Sequence, residues 1–195
     1  LPTRTQQSDI TLLYEGSHGD TQHIVLFPGT VEECFEFGWR AFDYAERFQT
    51  PIFPMSDLDL GMNRWACSGF EYPDKPMDRG KVVREKDIFE AFEEFGRYLD
   101  VDGDGIPYRT LPGSGMDPIL YRGTGHNPMG LYSEKPDDYY QLMTRLKNKI
   151  DGARDELPAP ILRQEKELQL GIIYLGSMEN TIQEIDDLLE ATGIK

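Results

Sequence analysis

Cysteine and basic residues are the two classes that this sequence has little of. Cys34 and Cys67 are its only cysteines, and two thiols supply neither the four thiolates of an iron–sulfur cluster nor a disulfide framework. Lys and Arg number 20 against 35 Asp and Glu, which gives a formal net charge of −15. A surface this acidic repels phosphate backbones and anionic lipid, so nucleic acid and bare membrane are excluded as partners.

Long hydrophobic runs are missing as well. Residues 24–27 and 171–175 are the longest, and both are far too short to cross a bilayer. No basic-then-apolar leader opens the chain, so we expect a cytoplasmic protein. Hydrophobic residues still make up 38% and aromatics 11% of the 195 residues, which is too much for a disordered acidic chain.

Residues 23–57 have the pattern of one βαβ unit. The apolar run at 23–27 lacks alternation, as in a strand buried on both faces. Thr30 and Glu33 have the spacing of a capping box, and residues 49–51 stop the helix that follows. A second strand is expected at 52–55, and ligands would gather near 28–30 and 56–57, the carboxyl ends of the two strands. The helix between the strands has an apolar stripe of Val31, Cys34, Phe35, Ala41, Phe42, Ala45 and Phe48.

The rest of the chain alternates helical with irregular segments. Helices are predicted at 85–99 and 136–157, whereas residues 60–84 and 100–133 are rich in Gly and Pro and lack periodicity. After a linker at 157–160, the residues at 170–175 predict a strand, and those through Leu189 a helix. One helix cannot cover both faces of that strand, so the sequence is expected to break off inside a second domain. The fold class is therefore α/β.

An acidic loop and several polar residues are candidates for chemistry. Asp100, Asp102 and Asp104 open like a calcium loop, but Leu111 stands where a bidentate Glu belongs, so a tight acidic turn is the favoured interpretation. His18 and Asp20 form a polar turn before the first strand, either a ligand contact or a solvated turn. Two arginines of the Gly-rich stretch either hold a carboxylate or phosphate or pair with nearby Asp residues: Arg109 and Arg122.

Several blocks together resemble the α subunit of 2-oxoacid:ferredoxin oxidoreductases, most closely the 2-oxoglutarate type. The resemblance covers essentially the whole chain, and the blocks are specific in this order. They are LPTRTQQSD at 1–9, GSHGD at 16–20, VLFPGTVEECF at 25–35, QTP at 49–51, SDLD at 56–59, YLDVDGDGIPYRTLPG at 98–113, RGT at 122–124 and GIIYLGS at 171–177.

The resemblance implies two incomplete domains. Residues 1–157 would be the C-terminal part of a parallel-sheet, thiamine diphosphate pyrimidine-binding domain, and residues 158–195 a linker and the first βα unit of a transketolase C-terminal-like domain. Two family motifs expected upstream, one near the thiamine pyrimidine and one holding the 2-oxoacid carboxylate, are not in the sequence. We therefore expect a fragment that is inactive alone.

The implied reaction is the oxidative decarboxylation of a 2-oxoacid with coenzyme A, giving an acyl-CoA, carbon dioxide and reduced ferredoxin. Thiamine diphosphate with Mg²⁺ would be shared with a β subunit that also carries the iron–sulfur cluster, so the enzyme is expected to be a hetero-oligomer. Two alternatives stay open: a non-catalytic acidic interaction module with a calcium loop, and a non-redox thiamine enzyme of transketolase type.

The resemblance places substrate-proximal or cofactor-proximal residues in this chain, but no catalytic residue and no metal ligand except, weakly, the acidic loop. Thr3 and Arg4 adjoin the presumed substrate loop; the equally weighted alternative is that they are the residues at which a helix begins. His18 and Asp20 are second candidates. Arg109 and Arg122 would face coenzyme A or the partner subunit, unless they form salt bridges within their loop, which is the favoured alternative.

Overall fold

The computed structural model describes residue 4 and residues 6–84, 95–115, 121–162 and 170–193. Its strands are β1 (Ile24–Leu26) and β2 (Ile52–Pro54). Its α-helices are α1 (Ser8–Tyr14), α2 (Val31–Phe48), α3 (Leu58–Met62), α4 (Pro136–Ala153) and α5 (Glu179–Ala191). A 3-10 turn, Gly176–Met178, leads into α5. No helix of the described residues is long and apolar enough to span a membrane.

The predicted βαβ unit is confirmed. β1 and β2 pair in parallel, with Ile24 opposite Ile52 and Leu26 opposite Pro54, so Pro54 ends an edge strand. Thr30 begins α2 as its N-cap, since its Oγ1 accepts a hydrogen bond from Glu33 N at 3.2 Å. Glu33 reaches back one residue further than in the usual capping box, and its Oε2 accepts from Gly29 N at 2.6 Å.

The core lies between the strand pair, α2 and the end of α4. Its buried side chains are Ile24, Leu26, Phe37, Phe48, Ile106 and Ala153. The predicted stripe of α2 is wrong at Phe42, which is 64% exposed, because the face that meets the strands is centred on Phe37, Tyr44 and Phe48. Those three residues recur at helical spacing, and Phe42 points away from them.

Helix α4 begins as predicted, with Pro136 at its first position and Asp137 and Asp138 in its first turn. It ends at Ala153 rather than near residue 157, because a turn follows in which Leu157 N donates to Ala153 O at 3.1 Å. Of the helix predicted over 85–99, residues 85–94 lie outside the described residues, and residues 95–99 form a turn and irregular backbone.

The strand predicted at 170–175 is wrong, whereas the helix after it is confirmed as α5. A strand needs a neighbour for its ladder hydrogen bonds, and among the described residues this segment pairs with none. Ile172 is 45% and Ile173 100% exposed, so the segment also lacks the burial that its apolar run implied.

Candidate functional site

The carboxyl edge of the strand pair, where a ligand was expected, is covered by the chain itself. Asp57 Oδ2 accepts a hydrogen bond from Ser177 N at 2.6 Å, and Asn180 Nδ2 donates to Gly29 O at 3.2 Å. Gly29 lies so close to α5 that a Cβ there would stand 3.0 Å from Glu179 Cβ. The segment that begins α5 therefore occupies this edge.

Asp57 joins three elements at that edge. It follows β2, its Oδ1 caps α3 by accepting from Leu60 N at 3.0 Å, and its Oδ2 holds Ser177. Burial opposes its ionisation, but the hydrogen bonds from Leu60 and Ser177 outweigh burial, so the pKa of Asp57 lies below its ordinary value. The charged carboxylate therefore links the start of α3 to the 3-10 turn before α5.

The acidic loop meets a lysine from a distant segment. Lys81 Nζ contacts Asp102 Oδ1 at 2.6 Å and Asp104 Oδ2 at 2.7 Å, and it donates to Ile106 O at 3.0 Å. Asp100 accepts from Gly103 N at 3.0 Å and from Gly105 N at 2.8 Å. Although oxygens of the three carboxylates lie within 4.8 Å of one another, two of the three are already paired with the ammonium group of Lys81.

Electrostatics agree with that geometry. Burial lowers the pKa of Lys81, but the two aspartates outweigh it, and the pKa lies above the ordinary lysine value. Burial likewise opposes ionisation of Asp102, and Lys81 outweighs it to lower the pKa of Asp102. Lys81 thus offsets part of the negative charge of the three carboxylates, which supports the acidic turn rather than a calcium site.

Replacing Lys81 by methionine is expected to cost about 1–3 kcal/mol of folding free energy, because three clustered carboxylates lose their counter-charge. The same change should create cation affinity. Calorimetry with calcium should give no specific heat with the unmodified protein and measurable binding with Lys81→Met.

Lys147→Met is the matched control, since Lys147 is 72% exposed and pairs only along its own helix with Asp151 among the described residues. It should leave stability within about 0.5 kcal/mol and create no calcium binding. Micromolar calcium binding by the unmodified protein would contradict this role of Lys81 and favour the calcium module.

The two arginines of the Gly-rich stretch are held inside the protein. Arg109 pairs with Glu46 and donates to Arg79 O at 3.2 Å, with 14% of its side chain exposed. Arg122 Nε donates to Gly130 O at 2.8 Å. Arg109 thus forms a salt bridge, although with Glu46 of α2 rather than with an Asp of its own loop, and Arg122 braces its loop. No contact among the described residues joins the two side chains.

The N-terminal candidates do not converge on a common site among the described residues. Thr3 lies outside these residues, and Arg4 is exposed upstream of α1. His18 and Asp20 are exposed, and the contact that fixes their turn is Thr21 Oγ1 donating to His18 O at 2.7 Å. Ser17 bonds His23 Nδ1 instead of either of them.

A cavity that the sequence did not predict lies beside α4. Its volume is about 300 Å³, and its lining includes Tyr98, His126, Asn127, Arg145 and Asn148. Arg145 and Lys149 are one helical turn apart on α4, a spacing that is readable in the sequence. Lys149 is 7% exposed, and its Nζ donates to Gln49 O at 3.1 Å.

Three neighbouring cations, Arg97, Arg145 and Lys149, lie at or beside this cavity, and Arg145 is the one that lines it. Burial, followed by Arg145 and Arg97, lowers the pKa of Lys149 to about 8. Burial also lowers the pKa of Arg145, although Asp100 opposes that effect. Arg97, Arg145 and Lys149 therefore lie close enough together for their positive charges to repel one another.

Comparison with known proteins identifies relatives along the whole chain. A family model described as pyruvate flavodoxin/ferredoxin oxidoreductase, thiamine diphosphate-binding, matches residues 1–93. The 2-oxoglutarate synthase subunit KorA of Methanothermobacter thermautotrophicus is 28% identical over 195 residues, which is 100% of this chain and 50% of that protein. The 2-oxoacid:ferredoxin oxidoreductase 2 subunit alpha of Aeropyrum pernix is 28% identical over 200 residues, 100% of this chain and 30% of that protein.

A solved structure supports the same relationship. The 2-oxoglutarate:ferredoxin oxidoreductase from Magnetococcus marinus, with 2-oxoglutarate, coenzyme A and succinyl-CoA bound, superposes with a TM-score of 0.81 and 26% identity. The match covers 100% of this chain and 33% of that one. This chain therefore spans half or less of the length of these relatives. Sequence blocks, α/β fold and relatives agree that, over its whole length, the chain is similar to α subunits of 2-oxoacid:ferredoxin oxidoreductases.

Proposed function

We propose that this chain is part of the α subunit of a 2-oxoglutarate:ferredoxin oxidoreductase. The reaction converts 2-oxoglutarate and coenzyme A to succinyl-CoA and carbon dioxide, and two electrons pass to ferredoxin. The observation that carries the proposal is the full-length superposition, TM-score 0.81, on an oxidoreductase whose structure holds this substrate and this product.

Residues 1–157 are proposed to be the C-terminal part of the thiamine diphosphate pyrimidine-binding domain, and residues 158–195 the start of a transketolase C-terminal-like domain. The family model supports the first assignment by matching residues 1–93. The contacts of Asp57 with Ser177 and of Gly29 with Asn180 would then fix how the second segment sits on the first. This chain's own contribution is to hold that junction rigid.

Thiamine diphosphate and Mg²⁺ are proposed to bind where this subunit meets a β subunit. The cofactor supplies carbanion stabilisation when bound. The described residues do not fit the Mg²⁺–diphosphate end, because the sheet edge is covered by 176–180 and Lys81 already pairs with two of the three carboxylates of the acidic loop. We therefore assign that end to the partner subunit.

The iron–sulfur cluster is assigned to the partner for a similar reason. The chain has two cysteines, and Cys34 and Cys67 lie half-buried and exposed respectively. Burial, with Asp57 and Glu33, raises the pKa of Cys34 and disfavours the thiolate that binds iron. Ferredoxin would receive its electrons through that partner.

Among the candidate site residues, Arg4 is proposed to meet the carboxylates of the 2-oxoacid, with Thr3 beside it. Arg4 is exposed, and its guanidinium is suited to bidentate carboxylate binding. His18 and Asp20 are proposed as contacts to a neighbouring segment, since both are exposed on one turn. For Arg109 and Arg122 we propose structural roles.

The assay that tests the proposed function uses the full-length subunit with its co-purifying partners. Reduction of a viologen dye should require both 2-oxoglutarate and coenzyme A, and pyruvate should replace 2-oxoglutarate poorly. The 195-residue chain alone should show no activity. Dye reduction by this chain alone, or a full complex that turns over a 2-oxoacid without electron transfer, would overturn the proposal.

Substituting Arg4 by glutamine in that complex should raise the KM for 2-oxoglutarate about tenfold with a smaller change in kcat, because a charge-assisted contact to substrate is lost. Steady-state kinetics check this split. Arg154→Gln is the matched control: Arg154 is 75% exposed and 3.6 Å from Asp151, and its loss should leave KM unchanged. An unchanged KM in Arg4→Gln would leave Arg4 as a helix-entry residue.

A further inference from the structure

Two guanidinium groups and a histidine surround the ring of Tyr98. The Cζ atoms of Arg97 and Arg145 lie 5.2 and 5.9 Å from the ring centroid. The ring centroids of His126 and Tyr98 are 3.9 Å apart. The Tyr98 hydroxyl is already engaged, since it accepts from Arg122 N at 2.8 Å. Aromatic faces thus hold these cations in place without neutralising them.

The cations lack carboxylate partners among the described residues. Arg97 is 8% exposed, and its Nε has no hydrogen-bond partner. Arg145 and Lys149 donate to the carbonyls Gly105 O and Gln49 O rather than to carboxylates. No ion pair of the described residues includes any of the three. A buried charge without a partner destabilises the folded protein, and a bound anion would offset that loss of free energy.

The neighbouring cavity offers further hydrogen-bond donors. Asn127 Oδ1 accepts from Met129 N at 3.1 Å and from Leu131 N at 3.0 Å, so its amide NH₂ remains as a donor. His126 is 8% exposed, and its Nδ1 donates to Thr124 O at 2.8 Å, which leaves the partnerless Nε2 as an acceptor in the neutral ring, so His126 is not counted among these donors. The Asn148 side chain also lines the cavity.

Two carboxylates line the same cavity, and both are engaged. Asp100 accepts from the N–H groups of Gly103 and Gly105, and Asp138 pairs with Ser133 Oγ. Of the three cations, only Arg145 lines the cavity; Arg97 lies against the ring of Tyr98, which also lines it, and Lys149 lies one turn further along α4. Counted together, the three cations outnumber the two carboxylates, so the region around the cavity has an excess of positive charge.

We propose that this cavity is a binding site for a small oxyanion, a phosphate or carboxylate group, held by Arg145 and the Asn127 amide with Arg97 and Lys149 supplying positive charge behind them. A volume of about 300 Å³ holds one such group with a small body attached. The site does not depend on the proposed oxidoreductase activity, because it is defined by binding alone.

Calorimetry on the full-length protein with its partners tests the site, using inorganic phosphate and acetate as separate probes against chloride at equal ionic strength. Saturable binding of at least one probe is expected, and which probe binds distinguishes a phosphate from a carboxylate ligand. Arg145→Gln and Arg97→Gln should each weaken binding about tenfold, as expected for loss of a charge-assisted contact or its supporting charge.

Arg40→Gln is the matched control, because Arg40 is an exposed arginine that pairs with Glu36 one turn away on α2. It should leave binding unchanged. If Arg145→Gln fails to fold, Arg97→Gln and the rise in melting temperature of the unmodified protein with phosphate carry the test. Binding of neither probe, or equal binding by all three variants and the unmodified protein, would overturn the proposal.

Discussion

Replacing Gly105 by alanine is expected to destabilise the protein by about 3–5 kcal/mol. Gly105 has a φ of +83°, and an added Cβ would stand 2.5 Å from Arg145 O and 2.5 Å from Lys149 N. Both atoms belong to the α4 backbone, so neither can move away without distorting the helix. Urea unfolding of the variant, followed by circular dichroism, measures the loss.

Gly103→Ala separates the clash from the backbone strain. Gly103 has a φ of +80° in the same loop, but an added Cβ would meet nothing within 4 Å. It should cost only about 1 kcal/mol, the expense of a left-handed alanine. Equal losses in the two variants would mean that close packing of the acidic loop on α4 contributes nothing.

Replacing Asp57 by alanine is expected to cost about 2–4 kcal/mol, since one carboxylate serves two separated elements. Its Oδ1 caps α3 through Leu60 N, and its Oδ2 accepts from Ser177 N. Hydrogen–deuterium exchange should show the amide of Ser177 losing protection, and denaturant unfolding gives the free energy.

Asp57→Asn distinguishes the two contacts. The asparagine oxygen can still cap α3, but its NH₂ would face the Ser177 N–H, donor against donor. We expect an intermediate loss, with exchange increased at Ser177 and not at Leu60. Equal protection of the Ser177 amide in this variant and in the unmodified protein would contradict the proposed role of Asp57 in holding Ser177.

The stability of the unmodified protein should follow the pH in the direction that Asp57 sets. Because its folded pKa lies below the ordinary value of 3.8, its stabilisation is fully present above that value and is lost as the pH falls through the lowered one. Asp102 acts in the same direction. The free energy of unfolding should therefore fall less on acidification in Asp57→Asn than in the unmodified protein.

Local sequence signals predicted the βαβ unit well. The start of α2 was predicted from Thr30 and Glu33, three residues apart, and the start of α4 from Pro136 alone. Both predictions therefore need only residues that are close together in the chain. The same signals failed at residues 170–175. An apolar run predicts a strand only when another strand lies beside it, and that neighbour is not a property of the run.

The sequence by itself determined the acidic turn, the parallel unit and the family blocks, because each rests on residues close together in the chain. Only the tertiary structure decided that Lys81 would meet Asp102, that Asp57 would hold Ser177, and that Arg97, Arg145 and Lys149 would lie close together. Those groups lie 21, 120 and up to 52 positions apart in the printed numbering. Contacts over such separations depend on how the whole chain packs, and short-range spacing carries no record of them.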